Sequence, residues 1–155
     1  SYRGSIFKRH PEWIILRVTL KLRKGDSTAI QQEIFRITAE RIVKQDIGTR
    51  SCGCIFKNID WELVPMGRDQ LFNTFPELRI FQERPNIPVA FLIEKAGLKG
   101  SRVNSVSISE KHANFFINEG GASAEDVRSL IELVKNGVRK KYGLRLEEEI
   151  QYVGS

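Results

Sequence analysis

One segment limits the fold of this chain more than any other. Ser123-Ala124-Glu125-Asp126 has the layout of a capping box, in which a hydroxyl and a carboxylate three residues apart satisfy the first backbone N–H groups of a helix. Val127, Leu130, Ile131, Val134 and Val138 then recur at helical spacing and form one apolar stripe. Arg139, Lys140 and Lys141 fall in the last turn, where the negative end of the helix dipole favours them, and Gly143 suits the C-cap. A helix with one apolar stripe has to lay it on an apolar surface, and the segments on either side of this one alternate with the period of a strand.

On the carboxy-terminal side, Leu144, Leu146, Glu148, Ile150 and Tyr152 point one way and Arg145, Glu147, Glu149, Gln151 and Val153 the other, which predicts a final strand. On the amino-terminal side, Val103 to Ile108 and Ala113 to Asn118 read as two strands joined through Ser109-Glu110-Lys111-His112. Before them, Pro88 opens a short helix in which Val89, Leu92, Ile93 and Ala96 share a face, stopped by Gly97. Cys52 to Lys57 is a short β-prone strand or strand-edge turn. Trp61 to Pro88, with scattered aromatics and Pro65, Pro76, Pro85 and Pro88, reads as a short helix or turns followed by loop.

Nearer the start, Ile14, Leu16, Val18, Leu20 and Leu22 alternate with Arg17, Thr19, Lys21 and Arg23, the pattern of a half-buried strand. Gly25-Asp26-Ser27-Thr28 supplies a turn and a cap for a helix in which Ile30, Ile34 and Ile37 recur, ending near Lys44. The first strand belongs to some other sheet, so residues 1–28 are set apart from 29–155. The fold class is α+β, with a small mixed or antiparallel sheet and two or three packed helices.

Composition narrows the function classes. Of 155 residues, 41% are apolar and 28% charged, with no low-complexity run, which excludes general disorder. Val89-Ala90-Phe91-Leu92-Ile93 is among the longest apolar stretches, far short of the ~20 residues that span a bilayer. No apolar signal segment opens the sequence, which is the pattern of a cytosolic protein or a trimmed chain. The net charge of +6 draws in anions, and nucleic acid or a nucleotide-sugar diphosphate would both answer to it. The positive charges are scattered and form no stripe, so charge alone does not choose.

The only two cysteines, Cys52 and Cys54, are one residue apart, too close for an ordinary structural disulfide, and their scarcity favours a reducing compartment. With His10 and His112 they could make a zinc site, but a single C-x-C without a second pair at ligand spacing is a weak signature. A Cys–His nucleophile is open on composition alone. No P-loop, G-x-G-x-x-G, H-E-x-x-H or G-x-S-x-G is present.

Five segments taken in order carry more information than any of them alone: Tyr2-Arg3-Gly4-Ser5-Ile6-Phe7-Lys8, Gly53-Cys54-Ile55-Phe56-Lys57-Asn58, Phe91 to Gly100, Ser109-Glu110-Lys111-His112-Ala113-Asn114-Phe115, and Leu146-Glu147-Glu148-Glu149-Ile150. In order and spacing the set resembles the carboxy-terminal portion of UDP-N-acetylenolpyruvoylglucosamine reductase. The compact link after Tyr2-Arg3 is similar to the family's second type, which lacks a tyrosine-bearing loop there. The resemblance implies an FAD-dependent reduction of UDP-N-acetylglucosamine enolpyruvate to UDP-N-acetylmuramate with NADPH, in bacterial cytoplasmic peptidoglycan synthesis, with neither nucleic acid nor membrane as partner.

By motif position, the resemblance implies that Arg3 holds the substrate carboxylate and the enolate-like intermediate, that Glu149 assists this polarisation, and that Cys54 delivers the proton. It also implies substrate binding by Tyr2, Lys57, Asn58 (toward the diphosphate) and His112 (toward the uridine). The flavin belongs to amino-terminal domains absent here, with residues 1–28 as the tail of the second and 29–155 as the substrate-binding third, so this chain alone should not hold FAD tightly.

Three positions depart from the family pattern. Cys54 stands where the family usually has serine, Ile59 where it has proline, and Asn104-Ser105 where it often has paired glycines. A free thiol, ionising near ~8.5, is a stronger acid than an alkyl hydroxyl and remains a competent donor. Without the resemblance, Arg3, Lys57, Asn58 and the glutamates would read as solvated charge and turn residues, and His112 as a hydrogen-bonding residue of a strand connection. Two other classes stay open on sequence, a stand-alone UDP-sugar-binding module and a basic nucleic-acid-binding domain.

Overall fold

The computed structural model describes residues 4–154, and the chain divides into two compact units, Ser1–Arg36 and Ile37–Ser155. Tyr2 and Arg3 lie outside the described residues. In the first unit a single helical turn, α1 (Ile6–Arg9), is capped by Ser5, whose hydroxyl accepts from the Lys8 N–H at 3.2 Å. The Trp13 ring stacks on His10 with centroids 4.4 Å apart.

The alternating segment from Trp13 to Arg23 was expected to be a half-buried strand and is not one. It has no ladder partner, and Ile14, Leu16 and Leu22 are 82%, 92% and 82% exposed. The physical reason is that a strand is stable only when a neighbour takes its backbone hydrogen bonds and covers its apolar face. Among the described residues no segment does either.

Helix α2 (Ser27–Lys44) begins as expected, with Asp26 accepting the Ala29 N–H at 2.6 Å. It runs unbroken across position 28/29 and buries no residue, so the Ile30, Ile34 and Ile37 face is exposed.

In the second unit the order is β1 (Ile59–Asp60), a 3-10 turn (Trp61–Leu63), α3 (Arg68–Thr74), a second 3-10 segment (Pro76–Phe81), β2 (Asn86–Ile87), α4 (Val89–Lys95), β3 (Arg102–Val103), β4 (Val106–Ile108), β5 (Phe116–Asn118) and α5 (Ala124–Tyr142). Two small antiparallel sheets result, β1–β2 and β3–β4–β5. This is the expected α+β class, with the sheets antiparallel.

Helix α5 has the full capping box, with Ser123 accepting from Asp126 and returning its own N–H to the Asp126 carboxylate, and ends on Gly143 in the left-handed region at φ 69°. Its stripe of Leu130, Ile131, Val134 and Val138 is fully buried, in a core shared with Ile55, Phe56, Ile87, Leu92, Ile108 and Leu144. The expected final strand is reduced to one bridge, Phe56 with Glu148, although its alternation is real: Leu144 and Leu146 are buried while Arg145 and Glu147 are exposed.

The stretch Val103 to Ile108, expected as one strand, is a hairpin. Asn104 takes φ 47°, the left-handed conformation that asparagine tolerates better than most residues, and its side chain donates to Asp126 at 2.6 Å. Asn104 thus makes the tight turn between β3 and β4 with a residue other than glycine. The stretch Ala113 to Phe115, expected as the start of the next strand, is a turn ahead of β5, linked by the Cys54–Phe115 bridge.

The Trp61 to Pro88 stretch is ordered by tertiary contacts. Arg68 lies 4.6 Å over the Trp61 ring and donates to the Gln82 carbonyl at 2.5 Å, while the Trp61 indole donates to the Arg84 carbonyl at 2.8 Å. Phe81 and Phe91 meet edge to face at 4.9 Å.

Candidate functional site

The segment Cys54–Lys57 lies between two others that carry candidate residues. On one edge Cys54 bridges Phe115, and the Ile55 N–H donates to the Asn114 carbonyl at 2.9 Å. On the other edge the Glu149 N–H donates to the Ile55 carbonyl at 2.7 Å, and the Lys57 N–H to the Glu147 carbonyl at 2.9 Å. Backbone pairing therefore brings the segments bearing Cys54, His112 and Glu149 side by side.

The successive N–H groups of Ile55 and Phe56 both point toward Asn114, where regular β structure would send them to opposite sides. The Asn114 side chain makes this possible. Its amide oxygen accepts from the Phe56 N–H at 3.0 Å and its amide nitrogen donates to the Phe56 carbonyl at 2.8 Å. Asn114 is 2% exposed and Phe56 1%, so these bonds satisfy groups that water does not reach. The sequence hides this role, although Asn114 stands inside the Ser109–Phe115 motif.

Cys54 is half-buried and Cys52 exposed, both as thiols, with Gly53 between them at φ 86°. Glu149 is half-buried. Lys57 forms an ion pair with Glu147, and both line a pocket of about 110 Å³ together with Asn58, Leu144 and Arg145. Asn58 has a second task. Its Oδ1 accepts the Val89 N–H at 3.2 Å, at the start of α4, which fixes the side chain along the pocket wall. Cys54, Glu149 and His112 are not among the lining residues of that pocket.

His112 is held through its backbone. Ser109, 3% exposed, accepts the N–H groups of both Lys111 and His112, at 3.0 and 2.9 Å, and donates its own hydroxyl to Asp46. The imidazole Nδ1 is buried and makes no hydrogen bond with another residue. Burial pushes the His112 pKa below the usual histidine range, with the Lys99 charge acting in the same direction and Asp46 opposing it, so a neutral ring is presented at neutral pH. Asp46 and Ser109 were not anticipated from the sequence, because their partnership spans residues far apart in it. No group of three or more metal-ligating side chains occurs among the described residues, and the zinc reading of the cysteines and histidines has no geometry behind it.

The middle glutamate of the triplet faces away from this segment toward α5. Lys135 Nζ and the Tyr152 hydroxyl each approach Glu148 at 2.6 Å. Burial alone would raise its pKa, but the bonds from Lys135 and Tyr152 outweigh it and hold the carboxyl below its ordinary 4.5. Donating to Glu132 and Glu148 raises the Lys135 ammonium above its ordinary 10.5. A depressed carboxylate contributes stability above its unfolded pKa and loses it as pH falls through the folded value. Lys135→Met is therefore expected to lower the melting temperature near neutrality by about 2 °C, the scale of a half-screened pair, and the gap should close as the pH drops below 4.5. A gap that persists in acid would show that packing, and not charge, is responsible.

The fold and this arrangement define a class, an α+β domain with two small antiparallel sheets and one long buried-stripe helix. A solved UDP-N-acetylenolpyruvylglucosamine reductase from Thermus caldophilus is similar to 83% of this chain with a TM-score of 0.54 and 28% identity, and 37% of its own length is covered. In sequence, the reductase of Fervidobacterium nodosum is 40% identical over 97% of this chain and that of Rubrobacter xylanophilus 36% over 99%, covering 41% and 43% of those proteins. The sequence model of the UDP-N-acetylenolpyruvoylglucosamine reductase C-terminal domain matches residues 45–153, and the chain belongs to that family. It spans less than half the length of the curated relatives it matches. No helix among the described residues is long and apolar enough to cross a membrane.

Proposed function

We propose that this chain is the substrate-binding part of an FAD- and NADPH-dependent enzyme that reduces UDP-N-acetylglucosamine enolpyruvate to UDP-N-acetylmuramate in the bacterial cytoplasm. The observation that carries this reading is the family match over residues 45–153 combined with the pairing of the Cys54 segment against the segments bearing His112 and Glu149. Residues 1–28 are assigned to the tail of the flavin-binding domain and 29–155 to the substrate domain, with α2 continuous between them.

The described pockets, of about 370, 350 and 110 Å³, lack the glycine-rich backbone cradle that a dinucleotide pyrophosphate uses, so the residues present do not fit FAD. Bound by the rest of the enzyme, the flavin would supply hydride to the enolpyruvyl double bond.

The chain's own residues act on the substrate. Arg3 holds the carboxylate and the negative charge that develops on it, Glu149 assists that polarisation, and the Cys54 thiol gives its proton to the carbon next to the one reduced. Tyr2, Lys57, Asn58 and His112 bind the nucleotide sugar. A neutral His112, held in place by Ser109, suits hydrogen bonding to an uncharged uracil.

The reading is tested on the full-length protein. It should purify with a flavin whose absorbance bleaches with NADPH and returns when UDP-N-acetylglucosamine enolpyruvate is added without oxygen. A preparation with no flavin, or a reduced flavin that the enolpyruvyl sugar does not reoxidise, would overturn it.

A further inference from the structure

The loop entering the Cys54 segment has chemistry that proton donation does not use. Cys52 and Cys54 are the chain's only cysteines, and the first is exposed while the second is half-buried. Two residues of extended chain span about 6.6–7.2 Å, at the outer limit of the ~6.8 Å that a disulfide tolerates between Cα atoms. The chain is not extended here. It bends at Gly53, which takes φ 86° and donates its N–H to the Ser51 hydroxyl at 3.2 Å, so the extended-chain span is an upper bound on the Cα separation. Apart from its two chain neighbours, nothing lies within 4 Å of the position that a Gly53 side chain would occupy.

A second observation concerns access. Cys52 lines a pocket of about 350 Å³ with an apolar floor of Ile55, Val106, Phe116 and Val127 and with Arg50 on its wall. That volume is in the range of small-molecule sites, and a guanidinium beside an exposed thiol draws in anions.

We propose that Cys52 and Cys54 form a reversible thiol pair, which an anionic small-molecule disulfide oxidises to an internal disulfide. The Cys52 thiolate attacks one sulfur of the small disulfide and expels a thiolate. The Cys54 sulfur then attacks Cys52 in the mixed disulfide and expels the second thiolate, and the two protons given up by the cysteines go to the departing thiols. The protein loses two electrons and the small disulfide gains them. A ring closed over one intervening residue restrains little of the unfolded chain, so the bond adds little stability. It is suited to exchange.

The effect on turnover rests on Cys54 being the proton donor, because a sulfur locked in a disulfide has no proton to give. The test uses the flavin-loaded full-length protein and oxidised glutathione, followed by alkylation and tryptic digestion. Trypsin cuts after Arg50 and Lys57, so Ser51–Lys57 leaves as one peptide holding both sulfurs. That peptide should be two hydrogens lighter, resist alkylation and revert with dithiothreitol. Turnover should fall about tenfold or more in step with it, and Cys52→Ser should keep turnover under the same treatment.

Two alkylated cysteines after oxidation would overturn the pair, as would glutathione retained on Cys52 or a Cys52→Ser variant inactivated as fast as the parent. If the internal disulfide forms and turnover persists, the thiol pair stands and the assignment of Cys54 as proton donor fails.

Discussion

Cys54→Ala in the full-length protein is expected to cut turnover by about 10²- to 10⁴-fold, the range removed with a positioned proton donor. Alanine is smaller than cysteine and the site is half-buried, so the fold should tolerate the change. The Michaelis constant for the enolpyruvyl sugar should move little, because in this reading the thiol acts on the reacting carbon and holds no part of the nucleotide. Cys54→Ser should recover much of the lost rate, since a hydroxyl there still passes a proton. Turnover of the alanine variant within a few-fold of the parent would remove Cys54 from the mechanism.

The second large effect falls on stability. Asn114→Ala would strip hydrogen-bond partners from both the N–H and the C=O of Phe56, at a residue only 1% exposed. Each buried backbone group left unpaired costs about 1–3 kcal/mol, so a loss of about 2–6 kcal/mol is expected in the urea unfolding free energy. Asn114→Asp, which keeps the acceptor for the Phe56 N–H and loses the donor, should fall short of the alanine value if its charge is solvated or neutralised. A loss below about 0.5 kcal/mol for alanine, the scale of an ordinary surface change, would show that water replaces the amide.

What could be read from the chain depended on how local its causes were. Helix α5 carries its cap, stripe and stop within its own residues, and all three appear as expected. The Asp26 cap of α2 was legible for the same reason. The hairpin at Asn104 was not, because a left-handed residue other than glycine leaves no mark in an alternating pattern. Trp61 to Pro88 was illegible because its order comes from an arginine stacked on an indole and from side chains bonded to carbonyls of another turn.

The candidate site shows the same division. The order of the motifs identified which segments matter, and resemblance supplied the roles of Cys54, Glu149, Lys57, Asn58 and His112. The support beneath them was hidden. Asn58 also caps α4, Ser109 bonds Asp46 across 63 positions, and Asn114 holds Phe56 across 58, and no pattern of period two or three and a half reports such pairs.

The interior has a further meaning for how this domain can be handled as a part. Its buried apolar residues run from Ile55 to Leu146, and the family match opens at residue 45. A gene cut there keeps the whole interior, the Asp46 carboxylate that bonds Ser109, and every described candidate residue. It discards the uncovered row from Ile14 to Leu22, whose exposed apolar side chains invite self-association. The natural cassette for exchanging cysteine- and serine-bearing versions between relatives therefore starts near Gln45.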